Sequence, residues 1–200
     1  MKSNDIIADA RIMHLKELKS SLADAKTRLA KVEAERDLLS AHFDLGLVAL
    51  RDFERLPDES EFRIIDGWNA VLRLRNVSKL STEDVSRLKK EFLDNIGVTP
   101  PKEREEHPKT GELPPVETWI VFDGNVANSH RCGRYRVTYT GGTGAHRADR
   151  MILDFVNAAR ILGLDVSRIT VETSDRDLIR LVKSAGALTS QPRHTRTDRV

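Results

Sequence analysis

Four aspartates stand where this 200-residue chain can gather carboxylates at one place. Asp66 closes the apolar run of FRIIDGWN, Asp123 closes TWIVFDG, and Asp175 closes ITVETSD. Asp149 falls in the opening of a segment with helical apolar spacing, RADRMILDF. Short apolar runs without polar alternation suit strands buried on both faces, and a glycine after the acid supplies a sharp exit. Any one of these acids also reads as a turn residue or helix cap. If the strands lie parallel with right-handed crossovers, however, their acids fall on one edge, the edge where open α/β sheets hold ligands. The helix that starts near His146 begins from that edge and adds Asp149. Carboxylates so gathered repel one another unless protonated or neutralised by a cation, and oxygen-only ligands suit Mg²⁺ or Mn²⁺. Such an ion generates hydroxide and stabilises charge at a phosphoryl centre. Asp177 is either a further ligand or the cap of the final helix. Asn69 either orients a ligand or phosphate, or caps the helix after the first strand.

Basic residues crowd the same sequence neighbourhood: His130, Arg131, Arg134 and Arg136, then His146, Arg147 and Arg150. Beside an acidic metal site they are what a polyanionic substrate requires, because phosphate contacts dominate nucleic-acid affinity. Trp68 and Tyr139 are either stacking surfaces for bases or packing residues. The turn GGTGAHR has neither the Lys-Ser/Thr of a P-loop nor the third glycine of a dinucleotide fingerprint, so those modes of nucleotide binding are unsupported. Cys132 is the only cysteine, which excludes intramolecular disulfides and thiolate zinc clusters and leaves an exposed thiol as the expectation.

The elements that must position these residues follow from patterning. From Asp9 to Leu56 there is no proline, and Leu15, Leu18, Leu22, Ala25, Leu29, Val32, Leu39 and Phe43 repeat at spacings of three and four, with Arg36 and Gly46 interrupting the seam. That heptad pattern predicts a helix, residues 1–57, that pairs as a coiled coil or docks on its own domain, ending at Pro57. Residues 58–190 then read as strand, helix, helix, linker, strand, strand, helix, strand, helix, with Asn125 to Gly133 as a loop and Tyr135 to Thr140 as a strand. Ser81 and Asp84 open a helix that Gly97 closes. Residues 98–116 hold five prolines and seven charged side chains and read as a solvated loop, and residues 191–200 as a basic, frayed tail. The composition is 39% hydrophobic and 32% charged with a net charge of +2, enough apolar residues for one domain plus a solvated appendage. The amino-terminal segment lacks the features of a secretory signal and no stretch is apolar enough for a membrane span, so a cytoplasmic protein is expected.

Taken together, IDGWN at 65–69, VFDG at 121–124, RADRMI at 147–152 and TSDRD at 173–177 resemble the NYN family of PIN-like ribonucleases, nearest its YacP-like branch, over roughly residues 62–188. The resemblance implies a three-layer α/β domain with a central parallel sheet, a divalent-metal site of acidic residues, and endonucleolytic cleavage of RNA. By motif, Asp66, Asp149 and Asp175 match the acids that hold the metal. Asn69 matches the signature asparagine, and Asp123 an acid after the second strand. Trp68 stands where a tyrosine is usual, and the heptad helix and proline-rich insertion lie outside the family core.

The expectation is therefore a Mg²⁺- or Mn²⁺-dependent endoribonuclease. Asp66, Asp149 and Asp175 act at the metal with Asp123 and Asp177 as further ligands; Asn69, Arg131, Arg134, Arg147 and Arg150 face RNA; and the long helix makes a homodimer or binds a helical partner. Two other readings stand beside it. One is a metal-dependent phosphohydrolase of small phosphates, since VFDG is superficially similar to the nucleophile loop of haloacid dehalogenase-like enzymes, although Asn125 replaces the second aspartate wanted there. The other is a non-catalytic RNA-binding or scaffold protein whose acids merely cap helices.

Overall fold

A computed structural model of the chain describes residues 3–73, 81–98, 114–142, 144 and 146–192, with residues 3–12, 73 and 82 described by their backbone alone. The chain divides into two compact units, Met1–Ser40 and Ala41–Val200. A single helix, α1 (Ser3–Glu54), supplies all the described residues of the first unit and the opening segment of the second. Among the described residues no helix is long and apolar enough to cross a membrane.

The second unit is an α/β fold around a six-stranded sheet. Its elements are β1 (Phe62–Asp66), α2 (Gly67–Arg73), α3 (Thr82–Asn95), β2 (Thr118–Phe122), β3 (Ala127–Cys132), β4 (Tyr135–Thr140), α4 (Arg147–Ile161), β5 (Ile169–Glu172), α5 (Arg176–Ser184) and β6 (Leu188–Ser190). The strand order is β3-β4-β2-β1-β5-β6, and every pair is parallel except β3 with β4. The central strands carry apolar side chains on both faces because helices cover both. Ile65, Ile120, Phe122 and Val137 pack against α2 and α3 through Val71, Leu88 and Phe92. On the other face Phe62, Ile64, Trp119, Val121, Ile169 and Val171 share a core with α4, α5 and the end of α1.

Three expectations change. The domain edge is not at Pro57: Ala49, Leu50, Phe53 and Leu56 are buried in the core of the second unit, and the ring of Phe53 lies 5.3 Å from Phe62 and 6.1 Å from Phe155. Burial of side chains as large as Leu50 and Phe53 stabilises by about 1.5–3 kcal/mol each, which holds the last turns of α1 in the domain. Asn125 to Gly133 is not simply a loop, because it contains edge strand β3. ANSHRC has little intrinsic strand character, but it folds back on β4 through a turn at Gly133, whose φ of 56° suits glycine. A sixth strand, β6, pairs with β5 over only three residues and follows Gly186, where the sequence pattern ends the domain on the last helix and predicts no strand.

The capping box at Ser81 and Asp84 forms as the sequence predicts, and Gly97 follows α3 at φ 75°. Of the proline-rich stretch, residues 99–113 lie outside the described residues, while its ends Val98 and Val116 are buried. The tail beyond residue 192 is likewise outside them.

Candidate active site

β1 is the strand at which the order reverses: β2 lies on one side of it, and β5, reached through α4, on the other. Ligand crevices of open α/β sheets form at this point, outside the carboxyl ends of the strands. Asp66 ends β1 there, and the segment Thr173–Asp175 leaves β5 there. Asp66 is 2% exposed. Its Oδ1 accepts the backbone N–H of Asn69 at 3.3 Å, and its Oδ2 accepts the hydroxyl of Thr173 at 3.0 Å and the side-chain amide of Asn69. Ser174 donates its hydroxyl to the Asn69 Oδ1 at 2.6 Å. Asn69 thus orients the acid from the first turn of α2, and the cap it was expected to supply to that helix comes instead from Asp66, which accepts the Asn69 N–H.

Asp175 lies three residues beyond the end of β5 rather than on the strand, and it caps α5 by accepting the N–H of Leu178 at 2.9 Å. Asp123 receives the N–H of Ala148 at 2.8 Å and the Thr140 hydroxyl at 3.3 Å. It thereby substitutes for a cap on α4, whose own N-cap residue His146 is left-handed at φ 59° and makes no side-chain cap bond. Asp149, in the first turn of α4, pairs with Nδ1 of His146 at 3.0 Å. Three helices accordingly start at this edge, and the partial positive charge of each start favours the carboxylates beside it.

Electrostatics tie the acids together. Burial pushes the Asp66 carboxyl above the usual range, the amide and hydroxyl donors pull it partly back, and the charge of Asp149 adds to the rise. Burial likewise raises Asp149; His146 opposes this, and Asp175 and Asp123 reinforce it. His146, fully exposed, is held protonated to higher pH by its bond to Asp149. Next to these groups a cavity of about 390 Å³ is lined by His146, Asp149, Arg150, Asp175 and Asp177.

The carboxylates at this edge offer hard oxygens of the kind Mg²⁺ and Mn²⁺ take. Among the described residues, however, no three His, Cys, Asp or Glu side chains stand grouped to hold one ion. Asp66, Asp123 and Asp175 each direct an oxygen at a helix start, so the acids as placed serve first as caps. Asp177 corrects the sequence reading in the same way: the cap of α5 is Asp175, and Asp177 is an exposed first-turn residue that pairs with Arg180 at 3.3 Å.

The basic residues do not gather as expected. Asp66 lies level with Val121, and Val121 with Thr138, so the acids are at the carboxyl end of β4. Arg134 and Arg136 lie at its amino end, and Arg131 is opposite Arg136 on antiparallel β3. Thr140 lies four steps along the strand from Arg136, roughly 13 Å. All three are occupied there. Arg131 donates to the carbonyls of Gly133 and Pro114, Arg134 meets Glu117 at 3.1 Å, and Arg136 is paired with Asp52 of α1 where both side chains are nearly buried. Of the basic residues singled out from the sequence, His146, Arg147 and Arg150 stand at the acid edge, at the start of α4. The Arg147 guanidinium packs over the glycine turn, where a Cβ on Gly142 would approach it to 2.3 Å. Arg150 is exposed, 3.9 Å from Asp154.

Trp68 and Tyr139 are packing residues: the Trp68 ring meets Phe122 edge-on at 5.4 Å and its indole N–H bonds the Asp123 carbonyl, and Tyr139 stacks on Phe122 at 5.7 Å. Cys132 is partly buried against the α2/α3 core rather than an exposed thiol. Sequence reasoning assigned no role to Thr173 or Ser174, although two hydroxyl residues between a buried strand and a helix-capping aspartate are a signal for such bonds.

Fold and site together define an α/β protein with an acid-lined crevice at its strand-order reversal. No family model matches the sequence, and no curated protein or solved structure matches the chain.

Proposed function

We propose that this crevice is the divalent-cation site of an endoribonuclease with a PIN-like domain of the NYN kind. The observation that supports the reading is that Asp66, Asp149 and Asp175, from three separate elements, lie at the sheet edge where the strand order reverses, with the charge of Asp149 acting on Asp66 and that of Asp175 on Asp149. Burial disfavours the bare carboxylates of Asp66 and Asp149, a cost that a bound cation would offset by neutralising their charge. Asp66, Asp149 and Asp175 would hold Mg²⁺ or Mn²⁺, with Asp123 beside them. Such an ion supplies a water of lowered pKa and neutralises charge at phosphorus. The chain's own part is to fix Asp66 through Asn69 and Thr173 and to meet phosphate oxygens with the exposed cations His146 and Arg150.

The capping bonds of Asp66, Asp123 and Asp175 favour a second reading, an RNA-binding or scaffold protein in which these acids only start helices. Asp149 separates the two, because no helix uses it as a cap. Under the nuclease reading, calorimetric titration with Mn²⁺ gives a binding isotherm that Asp149→Asn weakens at least tenfold, and the same substitution abolishes Mn²⁺-dependent cleavage of single-stranded RNA. Absence of both binding and cleavage in the folded wild-type chain selects the scaffold. Turnover of mononucleotides without cleavage of RNA selects a phosphohydrolase of small substrates.

A further inference from the structure

The first unit holds a surface that the crevice does not use. Every residue of α1 from Met13 to Asp37 is exposed. The seam leucines and valine between Leu15 and Leu39 are 52–60% exposed. An apolar stripe of that length, about 37 Å along the helix axis at 1.5 Å per residue, gains its stability by packing rather than by propensity. In heptad terms Leu15, Leu22, Leu29 and Arg36 occupy the a positions and Leu18, Ala25, Val32 and Leu39 the d positions, without a break in phase.

We infer that the occupant of this seam is a second copy of the same chain, in a parallel, in-register two-stranded coiled coil. The charges that flank the seam decide both partner and direction. In a parallel pair the g-position Arg28 of each chain meets the e-position Glu33 of the other, giving two attractive contacts, and the a-position Arg36 lies beside the other chain's Glu35 at g. An antiparallel pair that sets Leu15 against Leu39 keeps two attractive contacts, Lys19 with the other copy's Glu33, but brings Arg28 against its own copy and Lys26 against its own copy. In the parallel pair Arg36 also faces its own copy across the a layer, so each guanidinium must turn toward the other chain's Glu35, and Arg36 is the single polar a residue that fixes register at some expense of stability. The parallel orientation holds more attractive than repulsive contacts, whereas the antiparallel one balances them, so the seam is the more self-complementary in the parallel, two-fold symmetric pair.

Sedimentation equilibrium of the full chain at micromolar concentration tests this, with an expected mass of twice 22.6 kDa. Leu22→Glu with Leu29→Glu places charge in the seam and should give the single-chain mass while the near-ultraviolet signal of the second unit is retained. The direction is read from a charge exchange. Arg28→Glu alone and Glu33→Arg alone should each weaken association several-fold, on the order of 3- to 10-fold for two pairs turned from attraction to repulsion. The double exchange should return it toward wild type. Residues 28 and 33 are five apart and do not face each other within one helix, so rescue reports contact between chains. A monomeric wild type overturns the proposal, whether the seam then takes a different protein or folds back on its own chain. A dimer whose double exchange fails to rescue overturns the parallel arrangement.

Discussion

The hydroxyl of Thr173 donates to the carboxylate of Asp66 at 3.0 Å, and its oxygen accepts the N–H of Asp175 at 3.1 Å. One side chain thus couples the acid at the end of β1 to the cap of α5, across the gap where the strand order reverses. Thr173→Val keeps the shape and removes both bonds, leaving a buried carboxylate one donor short. It should cost about 1–3 kcal/mol in urea unfolding. Thr173→Ser should restore most of that loss, and equal effects of the two substitutions would show that the hydroxyl is not what matters.

Asp175 has a capping role and a proposed chemical one, and two substitutions separate them. Asparagine caps helices nearly as well as aspartate, so Asp175→Asn should unfold within a few tenths of a kcal/mol of wild type. Asp175→Ala should lose about 1 kcal/mol. Both should lose metal-dependent RNA cleavage. Full cleavage by Asp175→Asn would confine this residue to the start of α5.

The placement of the arginines predicts a division among them. Neutralising Arg131 and Arg134 together should leave the salt dependence of RNA binding unchanged, since both lie at the far end of the sheet and are already paired. Arg150→Gln should reduce the slope of log affinity against log salt by about 0.7 for single-stranded RNA. The opposite pattern would move the RNA path away from the acid edge.

Stability of the metal-free chain should carry the signature of the raised carboxyls. Asp66 and Asp149 bind protons more tightly folded than unfolded. Their contribution is therefore complete below the ordinary carboxylate range and is lost as pH rises through their raised values. Unfolding free energy measured from pH 4 to pH 7 should fall less steeply in Asp149→Asn than in wild type. Parallel curves would mean that Asp149 titrates normally.

Gly67 marks a steric limit beside the acids. A Cβ there would stand 2.4 Å from the Phe122 ring, which is itself wedged against Trp68, Phe92 and Tyr139. Gly67→Ala should destabilise by about 1–3 kcal/mol through overpacking, detectable as a lowered denaturation midpoint. Pairing it with Phe122→Leu should recover part of the loss if the clash is the cause.

Local pattern was enough to place Asp66 and Asp123 at strand ends, Asp149 in a first helical turn, and the capping box at Ser81. Those features depend on neighbours a few residues away, and strands covered on both faces announce themselves as apolar runs. Strand β3 was hidden because its residues pair through β4 rather than through their own propensity, and β6 because three residues carry no period. The arginines show the limit most clearly. Adjacent in sequence to the acids, Arg131, Arg134 and Arg136 were carried to the opposite end of the sheet because β3 runs back antiparallel after β2 and the chain turns at Gly133 only at that far end, which no count of charges along the chain can reveal. The end of α1 is similar: its heptads continue through Leu50 and Phe53, yet only the packing of those side chains against Phe62 and Phe155 decides where the solvated helix stops and the domain begins.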